Sequence, residues 1–219
     1  VLDALKLLRN ALPEKAVLGF SASPFTLGAY LIEGESSKNF PRYSDFIKNE
    51  PKLFATLMEK LSAAVGLYIK AQFKCNADAI QIFDSHSHLL GAKNYWQCSG
   101  KYINAALLQL PENAKSILFA LNASDIFGEM LKTNASAYSV NCGVKLSQLK
   151  AAYKGNYALQ GNLNNAMLEF STEQEIAQKA AEIVDDMKNI GGHIFHLGHG
   201  ITPNAKLENV YAICKAVMK

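Results

Sequence analysis

Short apolar runs alternate along this chain with longer stretches whose apolar residues recur at helical spacing. The runs are Ala16–Phe20, Ala79–Phe83, Ser116–Ala120, Ala137–Val140, Tyr157–Gln160 and His193–Leu197. Continuous apolar character over so few residues is the pattern of a strand buried on both faces. Between them, Pro24–Glu33 is predicted as a helix, with Ser23 as N-cap, Pro24 at the first helical position and Gly34 as stop. Pro51–Lys74 is predicted as a long helix with Leu53, Leu57, Leu61, Val65, Tyr68 and Ile69 on one stripe. Further helices are expected over 92–109, 124–133, 145–153, 172–188 and 205–218, the fourth opened by a capping-box-like Ser171-Thr-Glu-Gln174.

Strand–helix alternation repeated six times implies an α/β fold with a parallel sheet and helices outside it. A doubly wound sheet closes with six strands. A (β/α)8 barrel needs eight units and typically about 250 residues. The pattern leaves both open, and no repeat or linker divides residues 1–219 into more than one domain. The chain enters directly on Leu2, Leu5, Leu8 and Leu12 at helical spacing, without an initiator Met, as expected of the middle of a longer protein.

Composition narrows the function classes. An apolar fraction of 49% is ample for a core, and a net charge of +3 without basic–aromatic clustering speaks against nucleic-acid binding. No run is long enough to span a bilayer and no secretory segment opens the chain, so a cytoplasmic protein is expected. Cys75, Cys98, Cys142 and Cys214 are irregularly spaced and read as reduced thiols, mostly in the core.

The candidate chemistry lies at strand ends. His193-Ile-Phe-His-Leu-Gly-His-Gly200 places His199 at the tip of a buried strand, between two residues without side chains to block a ligand. Barrel enzymes build their sites at such tips. His193, His196 and His199 cannot share a metal, since an extended strand at about 3.3 Å per residue separates the outer two by roughly 20 Å. His86-Ser87-His88 has a better spacing. The later strand ends offer only Asn141, Ala120, Leu121 and Asn122 as supplementary ligands, so no metal site is expected.

Several segments carry a resemblance. Gly19-Phe-Ser-Ala-Ser-Pro-Phe-Thr-Leu-Gly-Ala-Tyr-Leu-Ile-Glu-Gly34 with Ser37-Lys-Asn-Phe40, then Ile80-Gln-Ile-Phe-Asp-Ser85, Leu159-Gln-Gly-Asn-Leu163 and Ile194-Phe-His-Leu-Gly-His-Gly-Ile201, resemble uroporphyrinogen decarboxylase in order and separation. That family's fold is the (β/α)8 TIM barrel. The resemblance implies that the six strands are the third to eighth, an incomplete barrel with six of eight units.

The family removes CO2 from the four acetate side chains of a tetrapyrrole in haem biosynthesis, giving coproporphyrinogen without metal or organic cofactor. The protonated pyrrole ring itself accepts the electrons that the departing carboxylate leaves behind. By resemblance, Tyr30 hydrogen-bonds a substrate carboxylate and relays a proton. Ser85 contacts substrate, Phe83 packs on the macrocycle, and His199 binds a carboxylate and exchanges protons. Read from residue chemistry alone, Tyr30 is a core-edge residue, Ser85 a turn residue, Phe83 barrel core and Asp84 structural. A tetrapyrrole polycarboxylate and a second copy in a homodimer are the implied partners.

Departures from the family pattern lie at strand ends. Val140-Asn-Cys142 stands where a Leu-Asp-Trp-like segment is usual, Asn164-Asn165 follows the Gln-Gly-Asn segment, and His196 replaces an Asn. Arg9 and Arg42 offer no obvious paired clamp for a polyanion. The chain alone is therefore expected to be inactive. Two other readings remain open: a zinc-dependent methylcobamide–thiol methyltransferase of the same superfamily, and a non-catalytic degenerate barrel.

Overall fold

The structure, a computed structural model, describes residues 1–218 and contains two compact units, Val1–Ser136 and Ala137–Lys219. In the first unit the order is α1 (Leu2–Ala11), β1 (Leu18–Ala22), α2 (Pro24–Glu33), α3 (Pro41–Asn49), α4 (Pro51–Lys74), β2 (Ala79–Asp84), α5 (Gly91–Tyr95), α6 (Lys101–Leu107), β3 (Lys115–Ala120) and α7 (Ala123–Met130). Strand β2 pairs in parallel with both β1 and β3. The second unit runs β4 (Ala137–Ser139), α8 (Leu146–Ala152), β5 (Ala158–Leu163), α9 (Met167–Phe170), α10 (Glu173–Met187), β6 (His193–Leu197) and α11 (Leu207–Val217). There β5 pairs in parallel with β4 and β6. All six expected strands are present, and each is followed by helix.

Helix α2 forms where its punctuation places it. Ser23 accepts from Thr26 N–H at 3.0 Å, Pro24 stands in the first turn, and Gly34 at φ +84° takes the left-handed conformation that ends the helix. Helix α4 keeps its expected bounds, and Val65 and Ile69 of its expected stripe are buried, but in its first half the buried positions shift by one residue. Phe54 and Met58 are buried there, whereas Leu57 is half-buried and Leu53 is 58% exposed. Two apolar stripes run side by side on this helix. The one that packs is the stripe carrying the larger aromatic and thioether side chains, which meet Phe25, Phe40, Tyr43 and Tyr102 in one cluster.

Burial on both faces does not hold for every strand. Strand β1 exposes Leu18 and Phe20 while burying Gly19 and Ser21, and β6 alternates exposed Ile194 and His196 with half-buried His193, Phe195 and Leu197. An apolar run cannot distinguish a central strand from one with a neighbour on one side only.

On β1, Ser23 N–H donates to Phe83 C=O, so alternate residues 19, 21 and 23 face β2 and Phe20 faces away. The fully buried Gln72 of α4 meets that outward backbone. Its Oε1 accepts from Phe20 N–H at 2.9 Å and its Nε2 donates to Phe20 C=O at 2.8 Å.

Three further expectations are corrected. Residues 92–109 are not one helix: a π-helical turn at Trp96–Gly100 separates α5 from α6. The capping box sits one residue later than read, with Thr172 accepting from Glu175 N–H and Glu175 accepting from Thr172 N–H. The cysteines are not mostly core, since only Cys75 is buried, Cys98 and Cys142 are partly exposed and Cys214 is exposed.

Candidate active site

In the first unit, β2 ends at Asp84 and the chain turns through Ser85 and His86 into a 3₁₀ turn over Ser87–Leu89. Ser87 Oγ donates to Asp84 C=O at 2.8 Å, and Leu89 N–H donates to His86 C=O at 3.1 Å. Ser85 is half-buried, and its carbonyl lies 3.2 Å from His88 Nδ1.

Tyr30 stands two turns into α2 and is 42% exposed. Its hydroxyl lies 3.2 Å from His86 Nε2. The phenol ring packs edge-on against Phe40, with centroids 5.6 Å apart, and the buried Phe40 ring lies 4.4 Å from the imidazole. Burial, reinforced by neighbouring His88, holds His86 below the ordinary imidazole value. The ring is therefore neutral at pH 7, with one nitrogen able to accept and the other to donate. Phe83 is half-buried in a row of rings across three strands, 6.4 Å from Phe20 and 5.6 Å from Phe119. It forms an apolar wall rather than a filled core.

His199 lies in the second unit and is exposed, in the turn after β6. The turn is pinned on both sides. Gly198 N–H donates to Leu163 C=O at 2.7 Å, and Asn165 Nδ2 donates to Gly200 C=O at 2.9 Å. The two glycines differ in purpose. A Cβ on Gly198 would lie 2.5 Å from the Cys142 backbone nitrogen, whereas one on Gly200 meets nothing within 4 Å. Gly198 is required by close backbone approach, so access for a ligand explains at most Gly200. Nor is the strand before His199 buried, as its alternating exposure shows.

The first unit thus brings Tyr30 onto the turn that carries Ser85, two residues beyond the Phe83 wall, and adds His86, which the sequence suggested only as a metal ligand. Asn165, flagged as a departure, holds the His199 turn. Asn141 donates to Cys142 C=O at 3.3 Å, and His196 Nδ1 lies 2.6 Å from Leu197 C=O. Both arginines are engaged locally. Arg9 bonds Asp78, Asn76 C=O and Lys15 C=O, and Arg42 reaches Glu33 C=O at 3.4 Å. A cleft of about 650 Å³ in the second unit is lined by Cys142, Lys145, Asn162, Lys179 and Asp186 among others, but not by His199. Four of its charged residues pair with each other, Lys145 with Asp186 at 3.5 Å and Lys179 with Glu182 at 3.0 Å, and Asp185 lines it as well.

Comparison with known families decides the lineage. The model of the uroporphyrinogen decarboxylase (URO-D) family matches residues 1–219. The chain belongs to that family. It is 35% identical over 221 residues to uroporphyrinogen decarboxylase of Legionella pneumophila strain Lens, and 34% identical over 220 residues to that of Helicobacter hepaticus. Each match covers 99% of this chain, and respectively 62% and 64% of the relative, so the chain spans about three fifths of their length. Among solved structures, a methyltransferase from Methanosarcina mazei superposes with a TM-score of 0.86 at 20% identity, covering 99% of this chain and 63% of its own. A B12-independent methionine synthase from Shewanella follows at a TM-score of 0.70 and 13% identity. At these identities the likeness concerns the fold alone. The fold is the α/β barrel type expected for this family, with six β/α units among the described residues.

Proposed function

We propose that the protein decarboxylates uroporphyrinogen, removing CO2 from its four acetate side chains to give coproporphyrinogen, without metal or organic cofactor. The observation that carries this reading is the family match over the whole chain. The meeting of Tyr30 with His86 beside Ser85 supports it.

The chemistry asks for a proton donor near the pyrrole carbon, recognition of carboxylates and an apolar surface for the macrocycle. Tyr30 supplies a phenol O–H, which its neutral imidazole partner can receive from or return to. Ser85 provides a hydroxyl for a side-chain carboxylate, and the Phe20–Phe83–Phe119 row an apolar face. His199 provides a second, exposed group for carboxylate recognition and proton exchange. We place all of this in one barrel domain, in a cytoplasmic protein working as a homodimer.

Arg9 is held by Asp78 and by carbonyl oxygens, which leaves Arg42, with a single bond to Glu33 C=O, short of the guanidinium pair an octa-acid asks for among the described residues. Residues 1–219 alone are thus proposed to be inactive. Incubating the full-length protein with uroporphyrinogen under reducing conditions should yield coproporphyrinogen, separated by carboxyl number on chromatography. An intact, folded protein that removes no carboxylate refutes the proposal.

A further inference from the structure

Asp84 is fully buried, yet none of the roles above uses its carboxylate. One oxygen accepts from Ser23 Oγ at 2.5 Å and the other from Ser99 Oγ at 2.8 Å. Ser23, Ser87 and Ser99 are fully buried as well. These bonds join three separate backbone segments. Ser23 caps α2 and opens the helix that carries Tyr30, Asp84 closes β2 immediately before Ser85 and His86, and Ser99 sits in the π-helical turn before α6. Ser23 N–H to Phe83 C=O at 2.8 Å and Ser87 Oγ to Asp84 C=O at 2.8 Å lock the same junction from its backbone side.

A buried carboxylate is a costly way to hold strands together, because burying it without partners is expensive and apolar packing would serve stability as well. Burial pushes the Asp84 carboxyl upward, while the hydroxyls of Ser23, Ser99, Ser87 and Tyr95 pull the other way. What a two-oxygen acceptor provides, and a methyl group cannot, is direction. Tyr30 lies seven residues beyond Ser23, a lever of about 10 Å at the helical rise. A few degrees of tilt at the cap would therefore part the phenol from the imidazole.

We propose that Asp84 is a positioning residue: by holding Ser23 and Ser99 together, its carboxylate sets the angle at which α2 leaves β1 and so the meeting of Tyr30 with His86. The turnover half of the test rests on the decarboxylase reading, and the spectroscopic half does not. Asp84→Asn and Ser99→Ala are made in the full-length protein, each alone and with Tyr30→Phe. His86 ring signals are assigned by NMR with His86→Gln. Both single variants should move the His86 signals toward those of Tyr30→Phe, where the phenol partner is gone. Turnover of uroporphyrinogen should fall about tenfold or more in Asp84→Asn, as expected for sub-ångström misplacement of a reacting group. The same change added to Tyr30→Phe should cost little further, because residues acting through one contact are not additive.

His86 signals unmoved in both variants, or an equal fall with and without the Tyr30 hydroxyl, would overturn the proposal. If Asp84→Asn fails to fold, Ser99→Ala decides it by the same two readouts. If the parent enzyme shows no turnover, the decarboxylase reading fails while the His86 signals still decide for or against Asp84.

Discussion

Replacing Gly198 and Gly200 separately by Ala separates two explanations for the Gly-His-Gly turn. An added Cβ on Gly198 would sit 2.5 Å from Cys142 N, 3.1 Å from its Cβ and 3.2 Å from its Cα. Comfortable contact needs about 3.5–4.0 Å, so the turn must move by about 1 Å against backbone that cannot swing aside. Overpacking of that kind costs about 1–3 kcal/mol, and stretching the Gly198 N–H bond to Leu163 C=O adds about 1 kcal/mol. The reduced freedom of the unfolded chain returns about 0.4–1 kcal/mol. The net expectation for Gly198→Ala is a loss of about 1–3 kcal/mol. Gly200→Ala meets open space and should stay within about 0.5 kcal/mol of the parent. Urea unfolding measures both, read from the midpoint at constant m-value. Equal midpoints for the two variants refute the close-approach explanation of Gly198. A decarboxylation assay of the pair should follow the same order, because His199 rides on the displaced turn.

Three further outcomes are expected. Asp78 is held below the ordinary carboxylate range by Val17 N–H and by Arg9. Its stabilising share is thus present above the unfolded value near about 4 and lost as pH falls through the lowered one. Asp78→Asn should be less stable than the parent at pH 7, and the gap should close in acid urea titrations. Asn209 is buried, and its Nδ2 lies within 3.3 Å of the Met167, Leu168 and Ser171 carbonyls. Asn209→Ala should cost about 2–3 kcal/mol in chemical denaturation, and Asn209→Asp more, since a carboxylate cannot donate to them. Gln72→Leu should cost about 1–3 kcal/mol and speed hydrogen exchange at the Phe20 amide, whose partner is removed.

How much of this was legible in the sequence depended on whether the signal was local. Helix α2 was readable to the residue because Ser23, Pro24 and Gly34 act through their own backbone. Strand β6 was readable because Gly192 and Gly198 bound it. The start of the buried stripe of α4 was not, because Leu53 and Phe54 are equally apolar and only the cluster they meet selects between them. Helix α3 escaped notice because Arg42, Ser44 and Asp45 dilute its apolar period, and its entry uses Phe40 at φ +46°, a conformation no pattern announces. For the site, Tyr30, Phe83 and Ser85 came from resemblance. The phenol–imidazole pair joins residues 56 positions apart, and spacing rules do not reach that far.

The amide of Gln72 has one more implication. Any strand that came to lie along the outer side of β1 would have to evict that side chain before it could bond to residue 20. At residue 20 it would trade two contacts for two, so any net gain in hydrogen bonding would come from residues 18 and 22, which face the same side. The profit would come from covering Leu18 and Phe20, which are 47% and 58% open to water. Assembly at that margin would thus draw on greasy surface at residue 20, where the peptide groups are already taken. A polar replacement of Phe20 should weaken it.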